Sequence, residues 1–178
     1  TKILVFPELA ITGYTCEDLF FQDRLLNEAL QQLKNIIAAS ESLEMMTIVG
    51  LPYVLNHKLY NVAAVIYEGQ LLGLVPKTHI PNYSEFYEAR HFESGREILT
   101  EVIFDDQIVP FGSHILFENS QMPAMSVGVE ICEDLWAPNP PSSDHALAGA
   151  TIIANASASN ELTGKSDYRR LLVQSQSA

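Results

Sequence analysis

The chain has 178 residues, which is enough for one domain with a substantial core, and its 47% hydrophobic content excludes a disordered segment. It carries 22 acidic and 10 basic residues, a net charge of −12, so we expect neither nucleic acid nor an anionic membrane as a partner. Two cysteines and no apolar run near the roughly 20 residues of a membrane span favour a cytoplasmic protein without a disulfide framework.

The first half of the chain alternates strand and helix patterns. Residues 2–6 form an apolar run that Pro7 halts, which predicts a strand buried on both faces. Apolar residues recur at helical spacing from about Asp23 to Ala39, which predicts an amphipathic helix with one buried face. The next predicted strands are Met46 to Leu51, Leu59 to Tyr67 and Gln70 to Val75.

The second half begins with residues 77–100, which show no clear period and predict a long ordered loop of the kind that is usually functional. Two short strands and a longer one, Met125 to Ile131, then lead into Cys132. The short strands are expected near Ile108 to Phe111 and His114 to Phe117; a helix over Ser143 to Ala148, a strand over Thr151 to Ala154 and a helix from Lys165 to about Gln176 follow. This alternation predicts an α/β fold, with a sheet covered by helices.

Three reactive side chains, Glu8, Lys77 and Cys132, each directly follow a predicted strand. Ligands of α/β proteins gather beyond the carboxyl ends of strands, so the three can share one site. A carboxylate can take a proton from a thiol, and a lysine can lower the thiol pKa and stabilise an oxyanion. The backbone N–H of Glu133, which follows the cysteine, would add a second oxyanion donor.

Simpler interpretations of each residue stay open at this point. Cys132 can be a small apolar core residue, as most free cysteines are. Glu8 can be a solvated loop acid, and Lys77 can be a charge that protects a sheet edge. Cys16 follows a turn without an acid–base pair beside it, so we interpret it as structural.

The residues around the three side chains are more specific than their spacing. The segments that carry the resemblance are Phe6-Pro7-Glu8-Leu9, Lys77-Thr78-His79-Ile80-Pro81 and the run from Gly128 to Trp136. Together they resemble the nitrilase (carbon–nitrogen hydrolase) superfamily. Residues 12–20, 81–88 and 132–136 resemble more closely the glutaminase domain of glutamine-dependent NAD synthetases, in the same order and nearly end to end.

The resemblance implies a nitrilase-like α-β-β-α sandwich of four layers and a Glu-Lys-Cys triad. Cys132 would attack the side-chain amide of L-glutamine and form a thioester. Glu8 would be the general base and then the acid that delivers ammonia, while Lys77 would stabilise the tetrahedral oxyanion. The resemblance implies no cofactor and no metal for this step.

Further site residues follow from the same resemblance. Glu85, eight residues after Lys77, matches the superfamily's supporting second glutamate, and Glu88 is a rival for that place. The positions that contact the ends of glutamine match Tyr83, Ser159 and Lys165. Turn chemistry at Ser159 and a surface charge at Lys165 are the simpler alternatives.

The resemblance also implies that residues 1–178 are a partial glutaminase domain that lacks the superfamily's first strand and its C-terminal strands. The ATP-pyrophosphatase synthetase domain, which would use ATP and Mg to amidate deamido-NAD with the released ammonia, is expected to be absent from this chain. We further expect a homo-oligomer. The alternatives are a stand-alone nitrilase-family amidase that acts on another small amide, and a catalytically silent scaffold.

Overall fold

The computed structural model describes residues 1–177, and within them nine strands and three α-helices alternate along the chain. The first half contains β1 (Ile3–Val5), α1 (Asp23–Ala39), β2 (Met46–Leu55), β3 (Lys58–Tyr67) and β4 (Gln70–Pro76). The second half contains β5 (Leu99–Phe104), β6 (Gln107–Gly112), β7 (Leu116–Asn119), β8 (Met122–Ile131), α2 (Pro141–Leu147), β9 (Ile152–Ala156) and α3 (Lys165–Gln176). None of these helices is long and apolar enough to cross a membrane.

The strands form two separate sheets. The larger sheet has the order β1-β2-β3-β4-β6-β5, and the smaller one has the order β7-β8-β9. In the larger sheet β1 runs parallel to β2, while β2, β3 and β4 form an antiparallel meander. In the smaller sheet β8 runs antiparallel to β7 and parallel to β9.

Alternating side chains of the central strands build two cores. Val49 and Leu51 of β2 pack with Leu33 of α1 on the outer face of the larger sheet. On the inner face, Ile48 belongs to a second core together with Val129 of β8, so the two sheets pack against each other. The opposite face of β8 lies against α2. The layers are therefore helix, sheet, sheet and helix, which confirms the predicted α-β-β-α sandwich.

Some predicted elements differ from the structure. The first strand is expected to be buried on both faces, but β1 is an edge strand with Val5 exposed. The loop 77–100 is shorter than predicted, because β5 begins at Leu99 and pairs with β6 as a hairpin. The hairpin of β5 and β6 turns at Asp105 and Asp106, which both have positive φ, as a type I′ turn requires. Neither is the glycine that usually signals such a turn. Helix α2 begins at Pro141, since proline fits the first helical position.

The segment that carries Glu8 lies directly on β2. A Cβ atom added to Gly50 would fall 2.3 Å from the backbone N of Leu9, and Leu9 itself has a φ of 52°. The segment after β1 can approach this closely only because position 50 has no side chain. Gly50 thus allows Glu8 to turn inward toward the end of β4.

Candidate active site

Glu8, Lys77 and Cys132 come together at one end of the sandwich. The ammonium Nζ of Lys77 lies 2.6 Å from Oε1 of Glu8, and both side chains are buried. The Ser157 hydroxyl donates to Sγ of Cys132 at 3.4 Å, while the N–H of the next residue, Ala158, donates to Oε2 of Glu8 at 3.4 Å. One short segment after β9 therefore contacts both the thiol and the carboxylate.

A second carboxylate, Glu88, completes the cluster. Its two oxygens lie 2.8 and 2.9 Å from Nζ of Lys77, and the Tyr14 hydroxyl donates to Oε1 at 2.6 Å. The expectation that Glu85 occupies this place is wrong. Glu85 is exposed and accepts a hydrogen bond from Asn160 instead.

The local backbone explains why Glu88 replaces Glu85. The Phe86 N–H donates to the Tyr83 carbonyl, which closes a turn with Ser84 at a φ of 51° and leaves Glu85 on the outside. The chain then returns: the Glu88 N–H donates to the Pro81 carbonyl, and Glu88 opens a short 3₁₀ helix that ends at Arg90. The turn brings Glu88 inward under Lys77.

The cluster holds one ammonium between two carboxylates, all three of them buried. Burial lowers the pKa of Lys77, but the adjacent carboxylates of Glu8 and Glu88 more than offset it and raise this pKa above its ordinary value. Burial also raises the pKa of Glu88, although Lys77 opposes the shift. Lys77 therefore stays an ammonium between two acids.

Cys132 occupies a strained backbone position. It follows the last residue of β8 and has a φ of 43°, a region that costs a non-glycine residue about 1–3 kcal/mol. It is also the first residue of a 3₁₀ helix, Cys132–Trp136. The turn takes the thiol out of the strand direction and places it at the junction that the sequence predicts.

The thiol is not activated in the resting state. Burial and the negative charge of Glu8 raise the pKa of Cys132 to about 12, and Lys77 and the Ser157 hydroxyl lower it only in part. Lys77 thus lowers the pKa of Cys132 as expected, but burial and Glu8 outweigh it, so the net pKa is raised. At neutral pH the residue is a thiol that needs a base, and Glu8 is the carboxylate beside it.

This raised pKa predicts slow alkylation of the free enzyme. We expect iodoacetamide to modify Cys132 more slowly than Cys16 at pH 7.5, with a rate that rises about tenfold per pH unit up to pH 10, because only the thiolate reacts. Peptide mass spectrometry of the full-length protein, sampled over time, measures both rates at once, and Cys16 is the internal reference. A rate for Cys132 that levels off below pH 9 contradicts the prediction.

One residue of the cluster, Asn61, is missed by the sequence reasoning. Its Nδ2 donates to Oε1 of Glu8 at 2.7 Å, and its backbone carbonyl accepts from the Lys77 N–H at 2.8 Å. The available signal is a polar residue inside the apolar run of β3, where it is fully buried. Asn61 and Lys77 both donate to Oε1, which leaves Oε2 as the freer oxygen of Glu8.

Two of the residues predicted to contact glutamine, Tyr83 and Lys165, lie against the 3₁₀ helix after Cys132. The Tyr83 hydroxyl donates to Oε1 of Glu133 at 2.8 Å, and burial together with Glu133 raises the pKa of Tyr83 to about 12. Nζ of Lys165 lies 5.2 Å from the centre of the Trp136 ring. The Ser159 N–H donates to the Ser157 hydroxyl.

An open cavity of about 520 Å³ lies beside this helix, with Tyr83, Glu133 and Trp136 in its wall. The backbone N–H of Glu133 belongs to the first turn of the helix, where N–H groups have no partner within the helix itself. As the N–H of the residue after Cys132, it stays the candidate oxyanion donor. The arrangement can support a nucleophilic thiol, a carboxylate base and two kinds of oxyanion donor.

The fold and this cluster define a class of protein. The sequence model of the family described as carbon–nitrogen hydrolase matches residues 1–178, and the chain belongs to that family. The fold is shared with a carbon–nitrogen hydrolase from Helicobacter pylori, at a TM-score of 0.68 and 22% identity over 99% of this chain and 56% of the other.

Within the family, the chain is similar to glutamine-dependent NAD(+) synthetases. It is 42% identical to the enzyme of Mycobacterium bovis over 99% of this chain and 26% of the relative, and 34% identical to that of Aquifex aeolicus over 98% and 27%. The crystal structure of the Cytophaga hutchinsonii enzyme matches with a TM-score of 0.86 at 33% identity, over 99% of this chain and 28% of that one. The chain thus spans about a quarter of the length of the curated relatives that it matches.

Proposed function

We propose that this chain hydrolyses the side-chain amide of L-glutamine as the glutaminase part of a glutamine-dependent NAD(+) synthetase. The ammonia would serve a synthetase domain that uses ATP and Mg to amidate deamido-NAD to NAD. The observation that carries the proposal is the buried Glu8–Lys77–Glu88 cluster beside Cys132, in a chain 42% identical to enzymes of that name. The glutaminase step itself needs no cofactor, and the homo-oligomer stays a prediction.

The first step is attack by the thiol. As the sulfur of Cys132 bonds to the amide carbon, its proton passes to Glu8, whose Oε2 accepts only one long hydrogen bond, from the Ala158 N–H at 3.4 Å. The carbonyl oxygen becomes an oxyanion. Lys77 and the Glu133 N–H stabilise it, and Glu88 keeps Lys77 in place.

The second step releases ammonia. Glu8 returns its proton to the leaving nitrogen, the C–N bond breaks and a thioester to Cys132 remains. Glu8 then takes a proton from water, the hydroxyl attacks the thioester and the sulfur leaves with that proton. Glutamate and free enzyme result, so Glu8 acts alternately as base and acid.

Substrate recognition would come from the rim around Trp136. Tyr83 and Ser159 would bind the polar end of glutamine, and the ammonium of Lys165 would attract its carboxylate as a point charge. A rim that fixes the polar end of its substrate at one place rejects a substrate whose polar end is displaced. Asparagine is one methylene shorter than glutamine and presents the same end groups.

A substrate comparison tests the proposal. We expect the full-length protein to release ammonia from glutamine with a kcat/KM at least about a hundredfold above that for asparagine, and further above that for propionamide. A coupled glutamate dehydrogenase assay measures the release. Equal or better activity on the aliphatic amide would favour the stand-alone amidase, and no release from any amide would favour a silent scaffold.

A further inference from the structure

A buried acid outside the catalytic cluster, Asp134, connects the two sheets at the end where the cluster lies. Its side chain belongs to the 3₁₀ helix after Cys132 and is only 1% exposed. The steps proposed above give it no role. Burying a carboxylate is costly unless donors surround it, so its partners indicate what it does.

All the partners of Asp134 lie within two residues of Lys77 or Cys132. Oδ2 accepts from the N–H of Ile131 at 3.0 Å, and Ile131 precedes Cys132. Oδ1 accepts from the N–H groups of Thr78 at 3.2 Å and His79 at 2.7 Å, and Thr78 follows Lys77. The Thr78 hydroxyl also donates to Oδ1.

This connection matters because Lys77 and Cys132 come from different sheets. Lys77 follows β4 in the larger sheet, and Cys132 follows β8 in the smaller one. Within residues 1–177 no backbone ladder joins the two sheets, so side chains must set the distance between ammonium and thiol. The Ala158 N–H bond to Glu8 and the Tyr83 hydroxyl bond to Glu133 also cross this gap, but the first is long, the second is exposed, and the bonds to Asp134 are more numerous.

The chemistry of the position requires a carboxylate. Four donors converge on the two oxygens, and an asparagine would turn its own N–H groups toward some of them. Three of the donors are backbone N–H groups that a mutation cannot remove. The fourth, the Thr78 hydroxyl, can be removed without changing the shape of the side chain.

We propose that Asp134 is a positioning residue that holds Lys77 against Cys132 by binding both strand ends, with the Thr78 hydroxyl as part of the link. The assignment rests on the proposed function for its kinetic consequence. Its geometric consequence is independent of the substrate, because the attraction between the Lys77 ammonium and the thiolate of Cys132 weakens as the two move apart.

Thr78→Val in the full-length protein tests the assignment, and Thr78→Ser is the matched control. Valine has the shape of threonine without the hydroxyl, while serine keeps the hydroxyl. We expect Thr78→Val to lower kcat for glutamine about tenfold with KM within about twofold, and Thr78→Ser to stay near the unmodified protein. At pH 9, alkylation of Cys132 by iodoacetamide should fall about threefold or more in Thr78→Val alone.

Each outcome decides the question. Unchanged kcat and alkylation in Thr78→Val overturn the assignment. If Thr78→Val also speeds alkylation of Cys16, the lower kcat reflects general loosening of the fold. Asp134 would then have a merely structural role, and the positioning assignment is overturned as well. If the unmodified protein does not hydrolyse glutamine, the proposed function fails, while the alkylation of Cys132 in the two variants still tests the positioning.

Discussion

Replacing Cys132 with alanine is expected to remove glutamine-dependent NAD synthesis by at least about a thousandfold, while synthesis from free ammonium stays within about twofold of the unmodified enzyme. The first effect follows because the sulfur of Cys132 is the atom that would form the thioester in the proposed mechanism. The second follows because the proposed synthetase site lies outside this chain. Both activities are measured in the full-length protein, with glutamine or ammonium chloride as the nitrogen source.

The fold should tolerate this change. Alanine adopts a φ of 43° at about the same cost as cysteine. The substitution removes one heavy atom, Sγ, which accepts a hydrogen bond from the Ser157 hydroxyl. Cys16→Ala is the matched control, since the thiol of Cys16 donates to the carbonyls of Thr12 and Gly13, away from the sulfur of Cys132 and its partner Ser157. Loss of both activities in Cys132→Ala would mean that the cysteine is structural, and full glutamine activity would exclude it as the nucleophile.

Local patterns were sufficient for most of the elements. Helix α1 has the predicted bounds, Asp23–Ala39, because its apolar period is long and its face packs on one sheet. The predicted strands Leu59 to Tyr67 and Gln70 to Val75 are the hairpin of β3 and β4, which turns at Glu68-Gly69, where both residues have positive φ. The sequence also predicts that Glu8, Lys77 and Cys132 share one site beyond the strand ends. Only the motifs around the three residues made that prediction specific.

The errors occur where the position of a side chain depends on a loop conformation, or where its pKa depends on burial. The choice between Glu85 and Glu88 is set by the turn at Ser84, which spacing from Lys77 does not encode. The direction of the Cys132 pKa is set by burial and by Glu8, two quantities that sequence leaves undetermined. The sequence does not reveal the role of Asp134, because its partners Thr78 and His79 lie about 55 residues away along the chain.

These differences share one cause. The proposed triad spans two sheets that no backbone ladder joins within the described residues, so its geometry depends on a few buried polar side chains rather than on strand register. Asn61 holds Glu8 and Lys77 within the larger sheet, and Asp134 links that sheet to the cysteine. Such residues carry no periodic signal, and only their burial in apolar surroundings distinguishes them from surface polar residues.

Removing the ammonium from the centre of the cluster is expected to have the largest effect on stability. Lys77→Met leaves Glu8 and Glu88 facing each other in a buried site, which costs about 3–5 kcal/mol. We expect the calorimetric transition of this domain in the full-length protein to fall by about 10 °C. Lys2→Met is the matched control: Lys2 also pairs with a glutamate, Glu44 at 3.1 Å, but its side chain is 71% exposed, so the shift should be under about 2 °C.

A double variant separates the two roles of Lys77. Adding Glu88→Gln to Lys77→Met removes one of the two unpaired carboxylates, so the transition should recover by several degrees. Glutamine hydrolysis should stay at least about a hundredfold below that of the unmodified enzyme, because the oxyanion still lacks its cation. Recovery of both stability and activity would mean that Lys77 only neutralises the glutamates, whereas recovery of stability alone assigns the ammonium to the transition state.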